Sequence, residues 1–279
     1  MSMSVNTNLF SLNAQRSLSK SQSSLAQSMQ RLSSGLRINS AADDAAGLAI
    51  SQRMNAQVRG MNVAIRNAND GISLSQTADG ALASVSDSLQ RMRELAVQSR
   101  NSTNSDSDKE SLNLEYQQLS SEIGRVLGGT TFNGKQILGS DAGTLTFQVG
   151  ANVTTNDTID IQTTNLTSDA KITTVTGASI GSASNASALA TVITDIDSAI
   201  DDVNSQRAVF GASQNRFNAV VSNLQTAVEN QSAAASRITD ADFASETAAM
   251  SRAQILQQAG TAMVAQANQL PQSVLKLLS

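Results

Sequence analysis

The sequence predicts a mainly α fold: a long antiparallel coiled-coil helix bundle formed by both chain ends, with a small β-hairpin region in mid-sequence. Three observations lead to this fold class. Apolar residues recur every three to four positions over most of the chain, which is the period of an amphipathic helix. Only 3% of the residues are aromatic, so the apolar side chains suit thin helix–helix seams better than one thick core. The two ends share the heptad pattern and flank a stretch that lacks it, which indicates that the ends pair.

The opening segment carries a heptad stripe of leucines. Leu18, Leu25 and Leu32 lie seven residues apart, as expected for a helix with one apolar seam. Ser40 followed by Asp43 resembles a capping box, in which each side chain satisfies a free backbone N–H of the other. A second helix is therefore predicted to begin at about Asp43.

The second predicted helix covers residues 43–99. Two turn signals, Asn69-Asp70-Gly71 and Asp79-Gly80, lie inside it. The apolar stripe keeps its phase across both signals, so we predict one uninterrupted helix. A loop rich in Ser and Asn follows, and the next apolar stripe predicts a shorter helix over residues 106–127.

The spacing of apolar residues changes from about residue 130. Leu145, Phe147 and Val149 alternate with polar residues, which is the period of a strand. Short β-hairpins are therefore predicted at about 140–165. Residues 171–187 are rich in Ser, Thr, Gly and Ala, a composition typical of an exposed connector.

The most regular helical pattern covers residues 189–238. Its apolar residues alternate in steps of four and three, and the polar seam residues are Arg207, Gln214 and Gln231. Polar residues on a seam commonly set register and partner choice.

The last predicted helix carries the stripe that we expect to pair with the opening helix. Pro271, the only proline, falls inside this stripe and is expected to bend or end the helix. Together with Leu18, Leu25 and Leu32, the predicted assembly seam contains Leu256, Met263, Leu270, Val274 and Leu277.

Composition weakens the case for several classes of function. The chain has no Cys and no His, which removes disulfides, thiol catalysis, most zinc chemistry and the commonest general base. We therefore predict no enzyme and no catalytic, cofactor or metal site. The acidic pairs Asp43/Asp44 and Asp201/Asp202 are interpreted as helix caps and solvated faces.

The charge and hydropathy of the chain indicate which partners and locations are not expected. The net charge of −4 is spread out, so nothing favours nucleic acid as a partner. No apolar run approaches the roughly 20 residues of a membrane span, so no membrane insertion is expected. The first 20 residues lack the charged and apolar regions of a secretory signal, so no cleaved signal peptide is expected.

Several segments resemble the terminal signatures of bacterial flagellins. The resemblance covers roughly residues 1–140 and 190–279, and the middle is short, as in flagellins that lack large variable outer domains. The segments that carry it are RLSSGLRINSAADDAAGLAIS at 31–51, QVRGMNVAIRNANDGISLSQTADGAL at 57–82, QRMRELAVQS at 90–99, TTFNGKQIL at 130–138, VNSQRAVFGASQNRF at 203–217 and the stretch at 236–275.

The resemblance implies a structural subunit that self-assembles into the helical flagellar filament for swimming motility. It implies an inner core domain of residues 1–40 plus 240–279 and an outer core domain of residues 41–239. The implied location is extracellular, after type III export without a cleaved signal. The implied partners are other copies of the chain, an export chaperone at the C-terminal region, and the filament cap and hook-associated proteins.

The resemblance also implies a receptor-recognition site. In flagellins the counterpart of QRMRELAVQS is recognised by the flagellin-sensing Toll-like receptor of animal hosts, and the matching positions here are Arg91, Leu95 and Glu115. The alternative is packing alone, with Arg91 and Glu115 as an ion pair and Leu95 in a helix seam. For the protein's own role we favour packing.

Other functions stay open at this point. The nearest is a flagellin-like hook-associated junction protein, and a more distant one is a signalling coiled coil, as in a chemoreceptor hairpin. An enzyme is the remotest. The Ser- and Thr-rich stretch 154–187 is also a candidate for O-linked glycans, which some flagellins carry.

Overall fold

The architecture is that of a mainly α protein with two small antiparallel sheets, which confirms the predicted fold class. It is described from a computed structural model that covers the backbone of residues 7–278 and the side chains of residues 7–269. In chain order the elements are α1 (Leu9–Ser34), α2 (Ala45–Ser99), α3 (Asp106–Gly129), β1 (Thr131–Phe132), β2 (Lys135–Gln136), β3 (Thr144–Gln148), a 3₁₀ turn (Thr155–Asp157), β4 (Thr158–Gln162), α4 (Ala170–Thr176), α5 (Ala186–Thr239) and α6 (Phe243–Leu278).

The chain divides into two compact units. Residues 1–56 and 230–279 form one, here called the terminal unit, and residues 57–229 form the other, the central unit. The predicted inner and outer core domains, divided at residues 40 and 240, concern the assembled state and stay a prediction.

Within the terminal unit, α1 and α6 pack side by side and run antiparallel. Near one end, Asn8 Nδ2 donates a hydrogen bond to the Ala267 carbonyl at 2.7 Å. Near the other end, Leu36 and Asp240 form an antiparallel backbone bridge. The two chain ends therefore pair, as their shared heptad pattern predicts.

The start of α2 differs from the prediction in one detail. Asp43 Oδ2 accepts hydrogen bonds from the backbone N–H and the hydroxyl of Ser40 and from the Asn39 N–H, which lower the pKa of Asp43, but these residues form a turn before the helix. The cap of α2 is Asp44, whose Oδ1 accepts from the Gly47 N–H at 2.9 Å. The predicted capping box placed the cap at Ser40 and the acidic pair in the first turn, whereas the cap lies four residues later, at Asp44.

Helix α2 continues through both turn signals, and packing explains one of them. A Cβ at Gly71 would lie 2.6 Å from Cζ of Phe217, a ring that is fully buried in the central unit. The Phe217 ring also meets Phe147 of β3 edge to face, with the ring centroids 5.5 Å apart. The absence of a side chain at Gly71 therefore leaves the space that the Phe217 ring of α5 occupies against α2.

This explanation predicts opposite effects for two glycines of the same helix. Gly80→Ala should stabilise the chain by about 0.5–1 kcal/mol, because nothing lies within 4 Å of the new Cβ and Ala is the better helix former. Gly71→Ala makes the same helical gain, but overpacking against Phe217 should cost about 1–3 kcal/mol. The midpoints of urea unfolding should separate the two variants. Equal midpoints would contradict the close approach at Gly71.

The strands form two hairpins on the central unit. Asn133 and Gly134 have φ of 49° and 79°, the left-handed conformation that a two-residue turn between β1 and β2 requires. Strands β3 and β4 pair antiparallel, with Leu145 opposite Ile161. They fall inside the region 140–165 in which hairpins were predicted.

The prediction of an exposed connector at 171–187 is wrong for residues 171–180. Asp169 caps the short helix α4, and Ile172, Val175 and Ile180 are buried. The Tyr116 hydroxyl donates to the Val175 carbonyl at 2.9 Å, and burial raises the pKa of this tyrosine. The composition of this segment is dominated by Ser and Thr, so the sequence did not indicate that its three apolar residues are buried. These three residues pack the segment against the core of the central unit.

Helix α6 does not end at Pro271. The helical backbone continues to Leu278, contrary to one of the two expected effects of this proline. Proline removes a single backbone hydrogen bond and can be accommodated inside a helix.

Candidate assembly and recognition surfaces

The inner seam of the terminal unit combines leucines from α1 with a stripe of α6 that includes the small residues Ala253, Gly260 and Ala267. Leu18, Leu25 and Leu32 are half-buried. A Cβ on Gly260 would lie 3.2 Å from Cδ1 of Leu18, so the two helices approach closely at this glycine. The inward-facing residues of α6 recur in steps of three and four: Met250, Ala253, Gln257, Gly260, Val264 and Ala267.

The predicted pairing of Leu256 and Met263 with the leucines of α1 is wrong. Leu256 is 51% exposed and Met263 is 62% exposed. The inward-facing stripe lies one residue later in the chain and places Gly260 between the two helices, at a point where they approach too closely for a large side chain. The side chains of Leu270, Val274 and Leu277, the other members of the predicted stripe, lie outside the described residues.

Two of the exposed apolar residues of α6, Leu256 and Met263, lie in a line along one side of the helix pair, whereas the exposed Phe243 and Ile255 occupy other heptad positions. Leu256 and Met263 are seven residues apart, and each directly precedes an inward-facing residue. Phe10, 59% exposed, directly precedes the inward-facing Ser11 in α1. In an antiparallel pair, equivalent flanking positions of the two helices lie on the same side. We call this surface, made of Phe10, Leu256 and Met263, the outer flank.

Arg91 and Glu115 meet on the surface of the central unit, where α2 and α3 lie side by side. Arg91 Nε donates to Glu115 Oε1 at 2.8 Å, and Arg91 Nη1 donates to Glu94 Oε2 at 2.8 Å. These hydrogen bonds, the one with Glu115 first, raise the pKa of Arg91. About half of the Arg91 and Glu115 side chains is open to solvent.

Leu95 is not part of that surface. It is fully buried in the core of the central unit. The structure therefore brings two of the three expected recognition residues together on the surface and places the third in the core.

Two ion pairs join α2 to α5. Arg93 Nε lies 2.6 Å from Asp197 Oδ1, and Arg207 Nε lies 2.8 Å from Asp79 Oδ1. The sequence marks Arg207 as a polar residue on a seam, but it presents Asp79 only as part of a turn signal. Heptad spacing gives the facing side of each helix and not the pairing of individual charges, so the partnership was missed.

Neither a metal site nor a membrane-spanning helix is found in the part of the chain that the structure describes. No three acidic side chains there lie close enough to hold an ion. None of the described helices is long and apolar enough to cross a bilayer.

Two family models match this sequence. The bacterial flagellin N-terminal helical region matches residues 5–142, and the bacterial flagellin C-terminal helical region matches residues 193–278. The chain is also similar to the flagellin of Halalkalibacterium halodurans, with 47% identity over 276 residues that cover 99% of this chain and 100% of the relative. It is likewise similar to the flagellin of Bacillus subtilis, with 42% identity over 305 residues that cover 99% of this chain and 100% of the relative.

A solved structure from Vibrio parahaemolyticus, assigned as a flagellar hook-associated protein, shares the fold. It aligns with a TM-score of 0.60 at 14% sequence identity, and the alignment covers 71% of this chain and all of that one. At that identity the likeness concerns the architecture alone.

Proposed function

This chain belongs to the bacterial flagellin family, and from that premise we propose that its outer flank makes contacts between neighbouring subunits of the flagellar filament. Family membership establishes the chain as a structural subunit of the helical filament. The outer flank concerns how that subunit joins its neighbours. The observation that carries this proposal is the exposure of Leu256 and Met263 on the side of α6 that α1 leaves uncovered.

The symmetry of a filament explains why such a flank is needed. A helical polymer uses heterologous contacts, in which one surface of a subunit meets a different surface of the next. Large apolar side chains exposed in a line on a soluble helix pair mark an interaction surface. The inward-facing residues of α1 and α6 already cover each other along the inner seam. The outer flank is therefore available to a second copy of this chain.

The remaining steps of the assembly route are also proposals. The family relation supports export without a cleaved signal and a final location outside the cell. It supports an export chaperone bound at the C-terminal region, and contacts with the filament cap and the hook-associated proteins. The inner and outer core domains at 1–40 plus 240–279 and 41–239 belong to this proposed assembled state. No catalytic step is proposed for the chain.

Recognition by a host Toll-like receptor is a second proposed interaction, at Arg91 and Glu115. The two side chains form an ion pair on the surface, and about half of each is accessible to a binding protein. Leu95 would act from below by holding α2 in place, since its own side chain is buried.

Arg91→Ala is expected to lower receptor activation by the purified free subunit about tenfold or more. A lost hydrogen bond to a charged group costs about 1.5–3 kcal/mol, and each 1.4 kcal/mol is a factor of ten in affinity. Arg93→Ala is the matched control, because Arg93 has similar exposure and pairs with Asp197 instead. A receptor-reporter assay gives the comparison, and equal activation by both variants would remove the assignment.

Seeded elongation tests the proposed function. Purified chain added to short sheared filaments should extend them into long fibres, as measured by electron microscopy. A hook-associated junction protein would add at most a short terminal layer, and a signalling coiled coil would add nothing. Either of those outcomes would contradict the filament-subunit function.

A further inference from the structure

The methionines of this chain differ sharply in exposure. The sequence contains eight. Within the region of described side chains, Met263 is 62% exposed and Met29 is 56% exposed, whereas Met92 is fully buried. Met54, Met61 and Met250 are intermediate. A soluble oxidant therefore meets two of the described thioethers far more readily than the others.

We propose that Met263 is an oxidation site through which a peroxide prevents the free subunit from joining a filament; this inference rests on the proposed function of the outer flank. In the reaction the thioether sulfur attacks one oxygen of hydrogen peroxide. The O–O bond breaks and an S–O bond forms. The sulfur is oxidised to the sulfoxide, and the peroxide is reduced to water after proton transfer to the departing oxygen.

The position of Met263 connects this reaction to assembly. Met263 lies seven residues after Leu256, within the line of exposed apolar side chains on α6. A sulfoxide is polar and chiral, and such a group disrupts apolar interfaces. Burial of the sulfoxide against a neighbouring subunit would leave a strong hydrogen-bond acceptor without a donor. Oxidation at this one atom therefore changes the outer flank while leaving the inner seam as it is.

The exposure of the Met263 sulfur determines when oxidation can act. The sulfur of Met263 is accessible in the free subunit and becomes covered once the flank meets a neighbour. Oxidation thus acts before assembly, and a completed filament protects the same side chain.

Met29 provides a control within the chain. Its exposure is close to that of Met263, so it is oxidised by the same treatment. It directly follows the inward-facing Ser28, whereas the outer-flank residues directly precede inward-facing ones. Met29 therefore lies on the opposite side of the helix pair.

The experiment treats the purified full chain with hydrogen peroxide, measures sulfoxide at each methionine by peptide mass spectrometry, and then measures seeded elongation. Met263→Leu and Met29→Leu are the variants, because Leu conserves volume and resists oxidation. We expect oxidation at Met263 and Met29 to be about tenfold or more faster than at Met92, as exposure governs susceptibility. Treated wild type and treated Met29→Leu should each elongate about tenfold less than the same protein untreated, because both carry the sulfoxide in the outer flank. Treated Met263→Leu should elongate as well as untreated Met263→Leu, because its outer flank has no sulfur to oxidise.

Each failure has a separate meaning. Loss of elongation by treated Met263→Leu equal to that of wild type would overturn the inference, and so would unimpaired elongation by wild type oxidised at Met263. Untreated wild type that does not elongate filaments would overturn the proposed function, and the inference with it. Recovery of elongation after treatment with a methionine sulfoxide reductase would support the inference, because it reverses this modification alone.

Discussion

The double variant Leu256→Glu with Met263→Glu is expected to abolish seeded filament elongation while leaving the free subunit folded. Both side chains are more than half exposed in the subunit, so the carboxylates stay in water until assembly. Burial of each charge in an apolar contact costs several kcal/mol. Since each 1.4 kcal/mol is a factor of ten, elongation should fall by more than about 100-fold. Elongation is counted by electron microscopy, and the helical content of the free subunit is followed by circular dichroism.

The matched control carries the same two charges on the other side of α6. Gln254 and Thr261 are also seven residues apart and exposed, and each directly follows an inward-facing residue. Gln254→Glu with Thr261→Glu should elongate filaments far better than the flank variant. Equal loss by both double variants would show that charge on any face of α6 stops assembly, and would contradict the assignment to the outer flank.

Phe217→Ala is expected to lower the free energy of unfolding of the central unit by about 3–5 kcal/mol, the usual cost of deleting a buried aromatic ring. The ring is fully buried, packs edge to face on Phe147 and fills the notch at Gly71. Its removal leaves a cavity where α2, α5 and β3 meet. Tyr116 is the only tyrosine and the chain has no tryptophan, so tyrosine fluorescence during urea unfolding reports this unit alone.

Val153→Ala is the control for loss of apolar side-chain volume in the same unit. Val153 is fully exposed, so its truncation should change the free energy of unfolding by no more than about 0.5 kcal/mol. Similar shifts for Val153→Ala and Phe217→Ala would contradict the role of Phe217 as a core contact.

Much of the fold could be predicted because helical periodicity is a local property of the chain. The apolar stripe through residues 43–99 keeps its phase across two turn signals, and α2 is one helix. The reason for Gly71 could not be predicted, because its partner Phe217 is distant in sequence. The buried segment at 170–180 was missed for a related cause. Its few apolar residues are too short a run to show a period, and their burial depends on Tyr116 and other residues far along the chain.

The assembly surface shows the limit of the same method. Periodicity locates stripes on a helix, but it does not say which stripe faces the partner helix and which faces solvent. The bulky stripe of Leu256 and Met263 was assigned to the inner seam, whereas the small residues around Gly260 occupy it. Close helix approach favours small side chains, and only a structure shows the distance between two helices. The Arg91–Glu115 ion pair and the burial of Leu95 both agree with the packing alternative, which placed Leu95 in a helix seam.

A helical reconstruction of filaments grown from this chain, at a resolution that shows side chains, tests the outer flank most directly. We expect Leu256 and Met263, 51% and 62% exposed in the free subunit, to be covered by a neighbouring subunit while α1 and α6 keep their antiparallel pairing. Filaments in which both side chains still face solvent would contradict it.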